Sequence, residues 1–310
     1  MYDVIGDIHG HADELELLLQ ALGYREVRSV YEHPERKVIF LGDFIDRGPQ
    51  IRQVLNIVRP MVDGGKALAV MGNHEFNALL FHTEHVHHKE AYLRRRDNKN
   101  IRQHSQTILQ LPDRDLADCI AWFKTLPMWL DLDGLCVVHA CWDDKALATI
   151  RAARPQDEAL TSDFLHAACD PENPLFDAVE IILKGKEIEL PQGQSFADNE
   201  SHVRTATRTR WYMSPQGQTY RTYALTNKID CQHALEQAVL DAAAPYPLDA
   251  KPVFIGHYWM SGRQPELLAQ NVACVDYSVA KGGFLCAYRW HGEQQLSHQN
   301  FFWVGKEPKS

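Results

Sequence analysis

No apolar run in this 310-residue chain approaches eighteen residues, so the sequence offers no membrane-spanning helix. A positive charge excess is also missing. Against 32 Lys and Arg stand 41 Asp and Glu, a formal net charge of −9, which disfavours a duplex nucleic-acid partner that demands a strongly basic face. Small phosphorylated molecules and phosphorylated protein side chains remain open as partners, because local basic groups can override net charge. The seven cysteines are odd in number, scattered and without a CxxC pair, which suits buried thiols in a reducing cytoplasm better than a disulfide framework. There is no internal repeat and no low-complexity tract, and the first polar cluster begins at Gly6, leaving no room for a cleavable apolar leader. With 45% hydrophobic and 24% charged residues, a cytoplasmic globular protein without membrane attachment is expected, its oligomeric state left open.

Four short polar segments stand out against this background: Gly6-Asp7-Ile8-His9-Gly10, Gly42-Asp43-Phe44-Ile45-Asp46-Arg47-Gly48, Gly72-Asn73-His74-Glu75 and Val137-Val138-His139. Each ends a mainly apolar run (2–5, 37–41, 67–71 and 135–138), the continuous pattern of strands covered on both faces. Between the first two runs, Leu15, Leu18, Leu19 and Leu22 recur at helical spacing before Gly23; between the second and third, residues 51–62 do the same before Asp63-Gly64-Gly65. Asp7, Asp43 and Asn73 lie 36 and 30 residues apart, the length of βαβ crossovers, so three parallel strands should bring their C-terminal tips to one sheet edge. Open α/β sheets bind ligands at that edge.

Period-two alternation points Asp7 and His9 to the same side, where both can meet one cation. The two oxygens of Asp43 can bridge two cations, and Asn73, His139 and His257 add a neutral oxygen and two imidazoles. Such a mixed donor set suits two divalent ions, manganese foremost, with iron, zinc, cobalt or nickel compatible. Two carboxylates with neutral partners leave the site positive, able to draw in phosphate and acidify a water.

These segments, with Gly256-His257, resemble the phosphoprotein-phosphatase branch of the calcineurin-like metallophosphoesterases. The resemblance implies a four-layer α/β/β/α sandwich with mixed sheets and an inserted lid. It implies a first metal on Asp7, His9 and Asp43, a second on Asp43, Asn73, His139 and His257, and a bridging hydroxide as in-line nucleophile. His74 matches the general acid, Asp46 the carboxylate orienting it, and Arg47 a phosphate clamp. A second clamp is expected from Arg204, Arg208 or Arg210, with Arg210 favoured. It lies in Thr207-Arg208-Thr209-Arg210-Trp211-Tyr212, similar to a segment of bacterial symmetrical diadenosine tetraphosphatases. Gly256-His257-Tyr258-Trp259, Val275-Asp276 and residues 282–290 are similar to the same group, and Tyr258 or Trp259 is a candidate for stacking an adenine. The implied activity is hydrolysis of dinucleoside polyphosphates. A serine/threonine or dual-specificity protein phosphatase is the alternative, favoured by Asp46, and a non-catalytic binding module is a third reading, opposed by the intact ligand set.

The remaining chain is read as part of one 1–310 domain. Residues 76–115 form a polar, helical flanking arm; 128–139 form a β-hairpin around Asp133-Gly134; 143–248 form a lid-like insertion; and strands return near 252–257, 272–277, 284–290 and 301–304. His82, His85, His87 and His88 lack cysteine or acidic partners at zinc spacing and read as a solvated arm rather than a third metal site. Arg94-Arg95-Arg96 reads as an exposed charge run.

Overall fold

The computed structural model describes residues 1–88, 90–154, 158–197 and 202–305. β1 (Tyr2–Ile5), α1 (Ala12–Ala21), β2 (Lys37–Phe40), α2 (Ile51–Asp63) and β3 (Ala67–Ala69) form the two expected crossovers, with β1, β2 and β3 adjacent and parallel. α1 buries Leu15, Leu18 and Leu19, and α2 buries Ile51, Val54, Leu55, Ile57, Val58 and Met61, the stripes that their apolar spacing dictates. A short antiparallel hairpin, Arg25–Val27 with Val30–Glu32, precedes β2 and was not foreseen. Its turn residues Arg28 and Ser29 take φ of 51° and 65°, and no Asn-Gly or Asp-Gly signal marks it.

α3 (Asn73–His82), α4 (Asn98–Gln110) and α5 (Asp113–Phe123) follow, then the hairpin β4 (Trp129–Leu132) and β5 (Leu135–Val138), turning as expected at Asp133-Gly134. α6 (Asp144–Ala153), α7 (Ser162–Ala167) and α8 (Pro174–Lys184) lead towards the insertion. After it, β6 (Val253–Ile255), β7 (Leu267–Ala269), β8 (Val272–Cys274), β9 (Asp276–Tyr277), β10 (Phe284–Trp290) and β11 (Phe301–Gly305) complete two mixed sheets. One has the order β9-β10-β1-β2-β3 with β11 also on β10; the other runs β7-β8-β6-β5-β4.

Alternation along the strands divides the core. Val4, Ile39 and Leu41 of one sheet share a buried cluster with Leu135, Val137, Phe254 and Ala273 of the other, while their neighbours Ile5, Val38, Phe40, Val138, Val253 and Ile255 belong to the cluster that includes the helices. The result is the expected helix/sheet/sheet/helix sandwich. Each fully buried aliphatic side chain contributes about 1.5–3 kcal/mol relative to exposure.

Two expectations need correction. Phe76 to Phe81 do not open a flanking arm: α3 is buried from Asn73 to Phe81, because the third βα unit needs a helix against the sheet. Within 143–248, α6, α7 and α8 bury Leu147, Ile150, Phe164, Leu165, Val179, Ile182 and Leu183 in the principal core. Only after Lys184 does a separate small cluster appear, built on Leu190, Tyr220, Tyr223, Ala224, Ile229, Cys231 and Leu235. All seven cysteines are free thiols, six of them buried. Among the described residues no helix is long and apolar enough to cross a membrane.

Candidate metal centre

The polar segments meet where the strands end, and much of their backbone is left-handed. His9, Asp43, Asp46, Arg47, His257 and Trp259 all have φ between 45° and 69°, a conformation non-glycine residues adopt at a cost that tends to be carried at functional sites. His9 donates Nδ1–H to the Ile45 carbonyl at 2.8 Å, which leaves Nε2 3.4 Å from Asp43 Oδ2, buried and without a hydrogen-bond partner. His139 likewise donates Nδ1–H to the Leu41 carbonyl at 2.7 Å and turns Nε2 towards Asn73 Oδ1, 3.1 Å away. His257 Nδ1 stands 2.7 Å from the same Asn73 oxygen. Backbone carbonyls thus set two of the imidazole orientations, as they do for metal-ligating histidines generally.

Ligand atoms gather in two triads, His9–Asp43–His74 and Asp43–His139–His257, each with its atoms within 4.8 Å of one another. Asp43 belongs to both, matching its expected bridging place. His74 stands in the first triad where Asp7 was expected, its Nε2 4.0 Å from Asp43 Oδ2. Asp7 is buried at the same site, its oxygens accepting the His257 N–H at 3.3 and 3.1 Å. The carboxylates leave no room for side chains beside them: a Cβ on Gly72 would fall 2.2 Å from Asp43 Oδ1, and one on Gly256 2.2 Å from Asp7 Oδ1.

Electrostatics favour a cation here. Burial, with Asp276 and Asp43 nearby, raises Asp7 well above the ordinary carboxyl range. Burial opposes ionisation of Asp43 too, yet His139, His74 and His9 hold it well below that range. Burial, reinforced by His74, lowers His9 to about 3, and burial with Arg208 and His139 lowers His257 well below normal. Neutral imidazoles facing crowded carboxylates, His9 and His257 each with an unpartnered buried Nε2, fit divalent cations.

Beside the triads, His74 Nδ1 lies 2.6 Å from Asp46 Oδ2, the expected dyad. Burial works against the Asp46 anion, but hydrogen bonds from His104 and His74 outweigh it and hold the carboxyl well below its usual range. Glu75 also escaped the sequence reading. Its carboxylate accepts the N–H groups of Asp43 (2.7 Å), Phe44 (2.8 Å) and Gly72 (3.0 Å), locking two ligand loops together. Asp276 does similar work for the histidine loop, accepting the N–H of Trp259 at 2.7 Å. Both lay inside segments singled out for resemblance, but their targets are backbone groups, which no side-chain spacing reveals.

Arg47 lies with its guanidinium 4.3 Å from the centroid of Trp259 and its buried Nε unpartnered. Among the other arginines the favoured one changes. Arg210 donates to the Ala224 carbonyl at 3.1 Å and lines a surface cavity of about 390 Å³ with Met213 and Arg221. Arg208, ending the strand Ala206–Arg208, is the one whose charge acts on His257 and Tyr258. Beyond Arg208 the Thr209 N–H carries the ladder on to the Lys186 carbonyl, and the Arg210 N–H bonds the Tyr223 carbonyl. Arg204 sits in a short exposed strand pair with Phe196.

The Tyr258 hydroxyl donates to the Ala140 carbonyl at 3.0 Å and accepts from Trp211 Nε1 at 3.2 Å, tying strand to insertion. His82 leaves the histidine group to join His104, 3.1 Å between their Nε2 atoms. His87, His88 and His166 gather around His85 without forming a metal-type grouping among the described residues. The arginine run is not simply exposed. Arg94 bonds Gln103 at 2.9 Å, and Arg96 lies over Tyr92, 3.2 Å from its ring centroid, while donating to the Phe81 carbonyl.

A two-sheet sandwich whose strand ends converge on paired Asp/His triads defines a dinuclear metallophosphoesterase fold and centre. The calcineurin-like phosphoesterase family model matches residues 2–201, and the chain belongs to that family. Over 75 residues it is 49% identical to the asymmetrical bis(5'-nucleosyl)-tetraphosphatase PrpE of Anoxybacillus flavithermus, covering 24% of this chain and 31% of that protein. Over 138 residues it is 28% identical to the symmetrical bis(5'-nucleosyl)-tetraphosphatase of Methylococcus capsulatus, covering 44% and 41%. The chain thus spans less than half the length of these curated relatives. In fold it is similar to a serine/threonine phosphatase from Saccharomyces cerevisiae, with a TM-score of 0.51 and 14% identity over 100% of this chain and 80% of that one.

Proposed function

We propose that the chain hydrolyses phosphate anhydrides of dinucleoside polyphosphates, using two divalent cations held by Asp7, His9, Asp43, Asn73, His139 and His257. The observation that carries the hydrolytic reading is the sharing of Asp43 between two buried ligand triads. The two tetraphosphatase relatives support the nucleotide substrate. Bound there, the cations would withdraw charge from a phosphoryl group and lower the pKa of an attacking water.

The protein's own groups supply the rest. Arg47, over the Trp259 ring, and Arg208, whose charge acts on His257, would balance phosphoryl charge. As the water oxygen bonds to phosphorus, the bond to the leaving phosphate oxygen breaks. The proton on His74 Nε2 passes to that oxygen, and the water's proton goes to solvent. Asp46 keeps the imidazole aligned from the far side.

Protein-phosphatase activity is the second reading, favoured by the His74–Asp46 pair. A panel with manganese separates the two: diadenosine tetraphosphate against phosphoserine, phosphothreonine and phosphotyrosine peptides, compared by kcat/KM. Higher values on the peptides would remove the nucleotide reading. On diadenosine tetraphosphate, ADP alone means symmetrical cleavage, and AMP with ATP means asymmetrical cleavage.

A further inference from the structure

Behind the His74–Asp46 pair, three more side chains form a continuous line into α4. The two oxygens of Asp46 are divided: Oδ2 takes His74 Nδ1, while Oδ1 takes His104 Nδ1 at 2.8 Å and the Thr107 hydroxyl at 2.5 Å. The Thr107 oxygen in turn accepts the Asp46 N–H at 3.0 Å, so one hydroxyl holds both the backbone and the carboxylate of a left-handed residue. His104 and Thr107 are i and i+3 on α4 and therefore share a face. His104 donates through Nδ1, so in its neutral form Nε2 offers a lone pair, and His82 Nε2–H is placed at 3.1 Å to fill it. Burial, His104 and Arg96 push His82 down to about 4, which keeps that ring a single-proton donor at neutral pH.

α4 is itself fastened to the loop it serves. Gln110 accepts the Ile51 N–H at 2.7 Å and donates to the Gly48 carbonyl at 2.9 Å, and near the other end Gln103 accepts Arg94.

We propose that His104 and Thr107 are positioning residues for the His74 acid, acting through Asp46, with His82 fixing the His104 tautomer. This rests on the phosphoesterase reading. With the carboxylate unable to rotate, the His74 ring keeps one pose at the leaving oxygen, where a misaligned acid loses part of its effect.

The test compares p-nitrophenyl phosphate, whose leaving group needs little protonation, with phenyl phosphate, whose leaving group needs more, on manganese-loaded protein. His104→Ala should lower kcat on phenyl phosphate by about 10-fold or more while KM and the p-nitrophenyl rate change little. His104→Asn, whose amide can replace Nδ1–H, should restore most of the loss. An unchanged ratio between the two substrates in His104→Ala overturns the proposal. Imidazole nitrogen NMR, which needs no turnover, should show the His74 Nδ1–H signal shifted in His104→Ala and returned in His104→Asn; an unmoved signal also overturns it. Wild-type protein that turns over neither of these esters nor diadenosine tetraphosphate refutes the enzymatic reading alone, and the NMR comparison then decides the positioning.

Discussion

At the scale of single residues, the candidate ligands stand out in the sequence because each sits in a short motif at a strand end, where local spacing and chemistry coincide. The partners that align them do not. His104 and Thr107 lie 58 and 61 positions from Asp46 and meet it only through helix packing, and Glu75 acts on backbone N–H groups. Arg208 and Arg210 differ by two positions, and only their surroundings, His257 for one and the Ala224 carbonyl for the other, separate them. Replacing Glu75 with Gln gives three N–H donors one acceptor oxygen and an opposing NH2. Urea unfolding should show a loss of about 1–3 kcal/mol, and bound manganese measured by atomic absorption should fall; unchanged values for both would end Glu75's role as the loops' anchor. Replacing His74 with Asn should leave two metals bound while kcat drops most on poor leaving groups. Equal losses across leaving groups would exclude proton donation by His74.

Elements were legible where periodicity was long. The crossovers around α1 and α2 and the Asp133-Gly134 hairpin follow from apolar spacing and turn chemistry, whereas the Arg28-Ser29 hairpin carries neither signal. α3 was misread as the start of an arm because a helix buried on all sides has no amphipathic stripe to announce it. The start of β1 illustrates how elements are tied at the end away from the metal centre. Asp3 is wholly buried and accepts from Tyr24 (3.0 Å), Arg36 (2.9 Å) and Arg289 (2.8 Å), linking β1 to α1's exit, to β2's approach and to β10. Asp3→Ala would strand two arginines beside the sheet. A destabilisation of about 3–5 kcal/mol in chemical denaturation is expected, with the metal ligands untouched; a loss below about 1 kcal/mol would show that water replaces the carboxylate.

Across the whole molecule, the candidate ligands come from both sheets: Asp7, His9 and Asp43 follow strands of one, and His139 and His257 follow strands of the other. A cation held by all of them binds the folded chain and not the unfolded one, so manganese at about a hundred times its dissociation constant adds about 2.7 kcal/mol. Calorimetry should record a higher Tm with manganese and its reversal by chelator. In Asp43→Ala the shift should vanish together with both bound metals, and retention of either metal would contradict the shared place of Asp43.

The insertion beyond Lys184 gathers Leu190, Tyr220, Tyr223, Ala224, Ile229, Cys231 and Leu235 into a cluster of its own, while Trp211 and Tyr212 fasten it to the principal core. Point changes within that small cluster perturb a local cooperative unit, whereas changes at Trp211 or Tyr212 reach the principal core. Hydrogen exchange should register that boundary as faster amide turnover from 187 to 240 than in β1, β2 or β6. In evolutionary terms, the small cluster can change by drift while Arg208 and Trp211, which reach the centre's surroundings, stay under constraint. It is a natural place for closely similar metal centres to diverge in what they admit.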